Sequence, residues 1–91
     1  MTKVKNINGS GFYHGIPAGY TSWLDYWEKT TGKKATKCGA CGKTTNLVGA
    51  HVKKVYGSDD HYYITPLCSG CNQRTDEFYV DTELAPCPTN R

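Results

Sequence analysis

The spacing of large side chains predicts one short amphipathic helix, in residues 21–32. Trp23, Tyr26 and Trp27 recur at positions i, i+3 and i+4, which places three aromatic rings on one helix face. Ser22 suits the N-cap of this helix. In a small domain the two tryptophans are the largest apolar surfaces. We therefore expect this face to cover the core of the cysteine-containing segment rather than to stack on nucleic-acid bases.

After this helix the periodicity changes to that of β-strands. Residues 47–52 alternate in character, and residues 62–65 are rich in β-branched and aromatic side chains. The two runs are predicted to pair as a hairpin around a polar loop at residues 53–61. Residues 78–80 are again apolar and extended, which predicts a return to the sheet.

Four cysteines in two Cys-x-x-Cys pairs carry the clearest chemical signal. Cys38 and Cys41 lie in a knuckle of small residues that lets both sulfurs face one point. Cys68 and Cys71 follow Pro66 and are predicted to open a helix that continues for a few turns, through residue 76. Two thiolates from each pair complete a tetrahedral four-sulfur site, which is how proteins hold structural Zn²⁺. We therefore predict one structural zinc ion per chain.

Other uses of the cysteines fit the sequence less well. A disulfide framework needs an oxidising compartment, and residues 1–5 lack the apolar stretch of a signal peptide, so we expect a cytoplasmic protein. A thioredoxin-like redox pair needs a βαβ context, which two pairs flanking a hairpin do not supply. An iron site of the rubredoxin or iron–sulfur type uses the same four ligands and remains an alternative. The fifth cysteine, Cys87, lies between two prolines and is interpreted as a thiol outside the site.

Length and charge limit the class of protein. The chain has 91 residues, enough for one small domain whose thin core often depends on a metal. A zinc ion bound by four thiolates adds −2, which brings the formal net charge from +3 to +1 and makes net charge uninformative about nucleic-acid partners. No apolar run is long enough to span a membrane, and we expect a monomer. The single domain is predicted to comprise an extended arm at 1–19, the helix at 21–32, the zinc module at 35–80 and a tail at 81–91.

The order knuckle, hairpin and helix is that of a treble-clef zinc finger. Within it, residues 49–52 (GAHV) and 64–72 (ITPLCSGCN) resemble the cysteine-bearing branch of the HNH endonucleases. The resemblance covers residues 38–74 and implies a structural zinc beside a ββα surface that cuts nucleic acid. It further implies His51 as general base and Asn72 as a ligand of a second divalent ion.

Two positions depart from the HNH pattern. Ala50 stands where the family has a metal-binding residue before the base, and Tyr63 stands near the position of the Asn that orients the base. Asn72 alone would bind magnesium poorly, because hard cations prefer carboxylates. Asp59, Asp60 and His61 in the intervening loop could supply replacement ligands.

Two hypotheses of different classes follow. The first is a non-catalytic or degenerate HNH-like treble clef that binds DNA, RNA or a protein partner, in which His51 orders the hairpin through a hydrogen bond. The second is a metal-dependent HNH-type endonuclease that uses His51 as general base. Several basic residues around the predicted zinc module either face a phosphate backbone or solvate the surface. They are Lys37, Lys43, Lys53, Lys54 and Arg74.

Overall fold

The computed structural model describes residues 1–7, 16–56 and 61–87. These residues form a small α+β domain with a five-stranded antiparallel sheet, one α-helix and one 3-10 turn. The strands follow the order β4-β1-β2-β3-β5 across the sheet, and every neighbouring pair is antiparallel. The elements are β1 (Thr2–Asn6), α1 (Trp23–Thr31), β2 (Leu47–Lys54), β3 (Tyr62–Cys68), the 3-10 turn (Cys71–Gln73), β4 (Glu77–Val80) and β5 (Ala85–Pro86).

The predicted hairpin and the predicted return to the sheet are confirmed. β2 and β3 pair over seven consecutive positions, from Leu47 opposite Cys68 to Lys53 opposite Tyr62. β4 joins the sheet as an edge strand. Residues 57–60 of the connecting loop, with Asp59 and Asp60, lie outside the described residues.

Residues 2–6 correct the prediction of a separate arm, because they form the inner strand β1 between β4 and β2. Val4 and Asn6 are buried on one side of this strand, and Lys3 and Lys5 point to the other side. The strand depends on partners that are remote in sequence, so local periodicity gave little indication of it. Residues 8–15 of the predicted arm lie outside the described residues.

The aromatic helix is confirmed. α1 has Ser22 as its N-cap, whose Oγ accepts a 2.9 Å hydrogen bond from the Asp25 backbone N–H. Gly32 ends the helix with a left-handed φ of 74°. On the aromatic face Trp27 is buried, and its indole Nε1–H donates to the Glu83 carbonyl at 2.7 Å. The rings therefore pack into the protein, as expected.

The sheet separates two small cores, because alternate residues of a strand point to opposite faces. One face carries α1 and a helix-side core of Trp27, Ile64, Ala85 and Cys87. The other carries a metal-side core of Val4, Cys38, Ala50, Val52, Leu67, Cys68, Cys71, Phe78 and Val80. The aromatic helix thus packs on the β2–β3 hairpin of the predicted zinc module, as expected, but on the face opposite most of the cysteine-containing core.

The predicted helix after the second cysteine pair is wrong. β3 continues through Pro66 to Cys68, and only a single 3-10 turn follows at Cys71–Gln73. The chain then enters β4 at Glu77, so little length remains for an α-helix between the two strands. Pro66 fits the strand because the pairs between β3 and β5 involve only Tyr63 and Ile64, which leaves Pro66 on an edge where no ladder N–H is required.

The predicted tail is also corrected. Residues 85–86 form β5 against β3, and Cys87 is buried with its N–H bonded to the Tyr62 carbonyl. The Glu83 carbonyl accepts a hydrogen bond from the Trp27 indole on the helix. It accepts a second one, at 3.1 Å, from the Thr65 hydroxyl. This segment therefore forms the edge of the sheet beside β3. Residues 88–91 lie outside the described residues.

The helix rests on the sheet at Gly49, and this contact supplies a stability test. A Cβ added at Gly49 would lie 2.5 Å from both the Leu24 nitrogen and the Trp23 carbonyl carbon, which are backbone atoms that cannot rotate away. We expect Gly49→Ala to lower the free energy of unfolding by about 1–3 kcal/mol, measured by urea denaturation at fixed metal concentration.

Gly70→Ala is the matched control for this substitution. Gly70 has a φ of −66° and open space where its Cβ would be, so the added methyl should be tolerated. Equal urea midpoints for the two variants would show that α1 does not dock closely on Gly49.

Candidate metal centre

The four cysteines of the two Cys-x-x-Cys pairs come together at one point. Their sulfur atoms all lie within 4.8 Å of one another, and the Cys41 and Cys68 sulfurs are 3.6 Å apart. A tetrahedral ion with metal–sulfur bonds of about 2.3 Å places its sulfurs about 3.8 Å apart. The cluster therefore has the donor set and the spacing to hold one metal ion.

The first pair is held by a tight turn. The Cys38 N–H donates to the Lys43 carbonyl at 2.7 Å, and the Gly42 N–H donates to the Cys38 carbonyl at 2.9 Å. Gly42 adopts a φ of 82°, which a residue with a side chain rarely accepts. The turn aims the N–H groups of Ala40 and Cys41 at the Cys38 sulfur, at 3.4 and 3.5 Å. Donors in this position stabilise negative charge on that sulfur.

The second pair joins the end of β3 to the 3-10 turn. The Cys71 N–H donates to the Cys68 sulfur at 3.5 Å. The turn is fixed to the sheet by Asn6, whose buried amide donates to the carbonyls of Cys71 and Arg74 at 2.9 and 3.0 Å. One side chain of β1 therefore fixes where the Cys71 ligand lies.

Backbone hydrogen bonds connect the two pairs to each other and to the last part of the domain. The Gly39 N–H donates to the Pro66 carbonyl at 2.9 Å, and the Asp81 N–H donates to the Gly39 carbonyl at 3.0 Å. The Lys37 ammonium lies 2.8 Å from the Asp81 carboxylate. The cysteine knuckle is thus held between β3 and the chain that follows β4.

The thiols of the cluster ionise unequally. Burial opposes ionisation of Cys38, but N–H groups of Cys68, Cys41 and Ala40 outweigh it and lower the Cys38 pKa to about 7. The Cys71 N–H likewise lowers the pKa of Cys68. Burial raises the pKa of Cys71 to about 12, and its sulfur neighbours add to the rise. A divalent cation at the centre would favour the thiolate form at every sulfur.

Sequence reasoning missed Asn6 and Asp81, which support the cluster without belonging to it. Asn6 lies in residues that were predicted to be an arm, and Asp81 in residues that were predicted to be a tail. The alternation of residues 2–6, Thr-Lys-Val-Lys-Asn, was the one local signal of a strand with an inward-facing asparagine. Cys87 is buried in the helix-side core and is not part of the four-cysteine cluster.

The structure does not bring His51 and Asn72 together. His51 is half-buried and shares a sheet face with Gly49, and its ring packs edge-on against Trp23 with centroids 4.8 Å apart. Asn72 lies in the 3-10 turn, which Asn6 holds against the opposite face of the sheet. The sheet therefore separates the two residues that the HNH resemblance pairs.

Other positions from the HNH comparison lie apart from His51 as well. Ala50 is buried in the metal-side core, and Tyr63 pairs with Val52, so both side chains point away from the face that carries His51. His61 is exposed next to the part of the loop that lies outside the described residues.

No family of known proteins, curated protein or solved structure matches the chain. Among the described residues, no helix is long and apolar enough to cross a membrane. Function therefore has to be inferred from the residues and their geometry.

Individual cysteine substitutions test the cluster. We expect Cys68→Ala to weaken binding of a divalent metal by more than about 100-fold, because even the loss of a group that only supports a ligand costs about 10–100-fold. Zinc content measured by native mass spectrometry and competition with a chromophoric chelator would report the change.

Cys87→Ala is the matched control, since Cys87 is equally buried but lies in the other core. It should retain full metal content. Equal metal loss in both variants would indicate that unfolding, rather than ligation, explains the loss in Cys68→Ala.

Proposed function

We propose that the chain is a zinc-stabilised, non-catalytic binding module, and that nucleic acid is its partner. The observation that carries the metal assignment is the convergence of four cysteine sulfurs within 4.8 Å of one another. Four thiolates fill a tetrahedral zinc site and leave no open position for a substrate or water. Such a zinc ion is structural, and the module acts through its surface.

The partner class rests on the HNH-like pattern of residues 49–52 and 64–72. We interpret the domain as a treble-clef-like variant in which a single 3-10 turn, Cys71–Gln73, takes the place of the helix. This interpretation is supported by the order of the segments, because the first cysteine pair precedes β2 and the second pair begins at the last residue of β3. A protein that kept this pattern without the catalytic ligands would keep the partner of the family and lose the cleavage.

The arrangement around His51 favours a non-catalytic role. A general base in an HNH nuclease works beside a divalent ion that stabilises charge on the phosphate. Here the neighbour Ala50 has no donor atom, Asn72 lies across the sheet, and the His51 ring packs against Trp23. We interpret His51 as part of the contact between the helix and the sheet.

Metal removal tests the structural role of zinc. We expect one zinc ion per chain in native mass spectrometry, and we expect a chelator to abolish the near-ultraviolet circular dichroism of the packed tryptophans. The reason is that the cluster connects the knuckle, β3 and the turn fixed to β1, so its loss releases three parts of the domain. An apo protein with an unchanged near-ultraviolet spectrum, or a purified protein that holds iron, would contradict the proposal.

A cleavage assay tests the non-catalytic assignment. The zinc-loaded protein should leave supercoiled plasmid intact in the presence of Mg²⁺, Mn²⁺ or Ni²⁺. Among the described residues, the four cysteines are the only group of three or more His, Cys, Asp or Glu side chains placed to hold a metal ion, and His51 is not part of it. Cleavage that is lost in His51→Ala but kept in His61→Ala, with zinc content equal in both, would establish the nuclease instead.

A further inference from the structure

One side of the sheet carries lysines and tyrosines where α1 does not cover it. The helix packs on β2, β3 and β5. Beside it, β1, β4 and the end of β2 present a surface that we name the basic sheet face. It consists of Lys3, Lys5, Lys53, Tyr56, Glu77 and Tyr79. The Tyr56 and Tyr79 side chains are 68% and 50% exposed.

The charges on the basic sheet face are unbalanced. Lys5 lies directly opposite Lys53 on β2, and like charges in this position destabilise a sheet. On its other side Lys5 faces Glu77, but the Glu77 carboxylate pairs with Lys3 at 3.4 Å. Among the described residues of this face, three ammonium groups thus share one carboxylate. A local arrangement that costs stability is expected where function requires it, and an anionic partner would relieve the repulsion.

The tyrosines make this surface more than a charged patch. Lys3 lies opposite Tyr79 in the β1–β4 pair, and its Nζ is 5.7 Å from the Tyr79 ring centroid and 5.6 Å from the Tyr56 ring centroid. Two exposed rings therefore flank a cation on a sheet surface. Proteins that bind single strands combine cations that contact the backbone with aromatic rings on which bases stack.

We propose that the basic sheet face binds single-stranded nucleic acid, with Lys5 and Lys53 on phosphates and Tyr56 and Tyr79 beneath bases. The proposal rests on the proposed function and names its surface and its substrate class. Single strands fit better than duplexes, because only unpaired bases offer their π faces to a tyrosine. A purely acidic partner would use the lysines and leave the two exposed rings without a role.

The test is fluorescence anisotropy of the zinc-loaded protein with a labelled oligothymidylate over a range of salt concentrations. Each phosphate contact with a single strand contributes about −0.7 to the slope of log K against log salt. For the double variant Lys5→Gln/Lys53→Gln we therefore expect the slope to become shallower by about 1.4 and affinity at 50 mM salt to fall by about 50-fold. For Tyr56→Leu/Tyr79→Leu we expect at least about fivefold weaker binding with an unchanged slope.

Lys33→Gln/Lys34→Gln is the matched control, since it removes two charges from the segment after α1. Lys33 there pairs at 3.0 Å with Glu83, which precedes β5 at the opposite edge of the sheet from β4. It should weaken binding by less than about fivefold. Equal effects of the two lysine pairs would overturn the proposal, as would equal affinity for a duplex of the same length. Binding to acidic peptides or anionic vesicles without binding to the oligonucleotide would also overturn it.

The zinc content of every variant separates this inference from the proposed function. A wild-type protein that holds one zinc ion yet does not bind the oligonucleotide would contradict single-strand binding by the basic sheet face. The zinc assignment would be unaffected. A wild-type protein that holds no zinc but binds the oligonucleotide through Lys5 and Lys53 would support the binding surface and contradict the zinc assignment.

Discussion

The convergence of four sulfur atoms is the constraint on which this structure depends. Thiols packed this closely attract one another little, and thiolates repel, so a cation at the centre of the cluster would stabilise the arrangement. Among the described residues, the buried apolar side chains divide between two small cores on opposite faces of the sheet, so a bound metal would add to a limited apolar burial. Hydrogen bonds from Asn6 and Asp81 connect β1 and the chain after β4 to the two cysteine pairs. The position of the cluster therefore constrains these distant segments as well.

Successive residues of β2 have different roles because their side chains point to opposite faces of the sheet. Ala50 and Val52 point into the metal-side core, while Gly49 and His51 point to the helix. A shift of one residue in the pairing with β3 would exchange these sets and place His51 among the buried apolar side chains. The same alternation helps to explain why the two segments of the HNH-like pattern do not form one site. His51 and Asn72 belong to neighbouring parts of the HNH-like pattern, but the sheet lies between them.

The elements that the sequence predicted are those with strong local signals. The helix had a cap and aromatic spacing, the hairpin had β-rich runs around a polar loop, and the cysteines had characteristic pairs. β1 was missed because its pairing with β2 and β4 joins residues far apart in the chain. The helix after Cys68 was predicted from Pro66, but the pairing of Pro66 with Gly49 and of Cys68 with Leu47 extends β3 through that signal. Long-range pairing outweighed local propensity in both cases. Likewise, the basic sheet face exists only because β1 aligns Lys5 with Lys53.

The position of β1 has a consequence for how the domain assembles. Lys5 pairs with Lys53 on one side and with Glu77 on the other, so this early strand needs both the hairpin and β4 before its hydrogen bonds are complete. Loop-closure entropy makes such distant pairings slow to form. During synthesis β1 leaves the ribosome before either partner, so its edge toward β2 stays open until the hairpin emerges and its edge toward β4 stays open until residues 77–80 emerge. β1 can therefore complete its pairing only after most of the described residues have been synthesised.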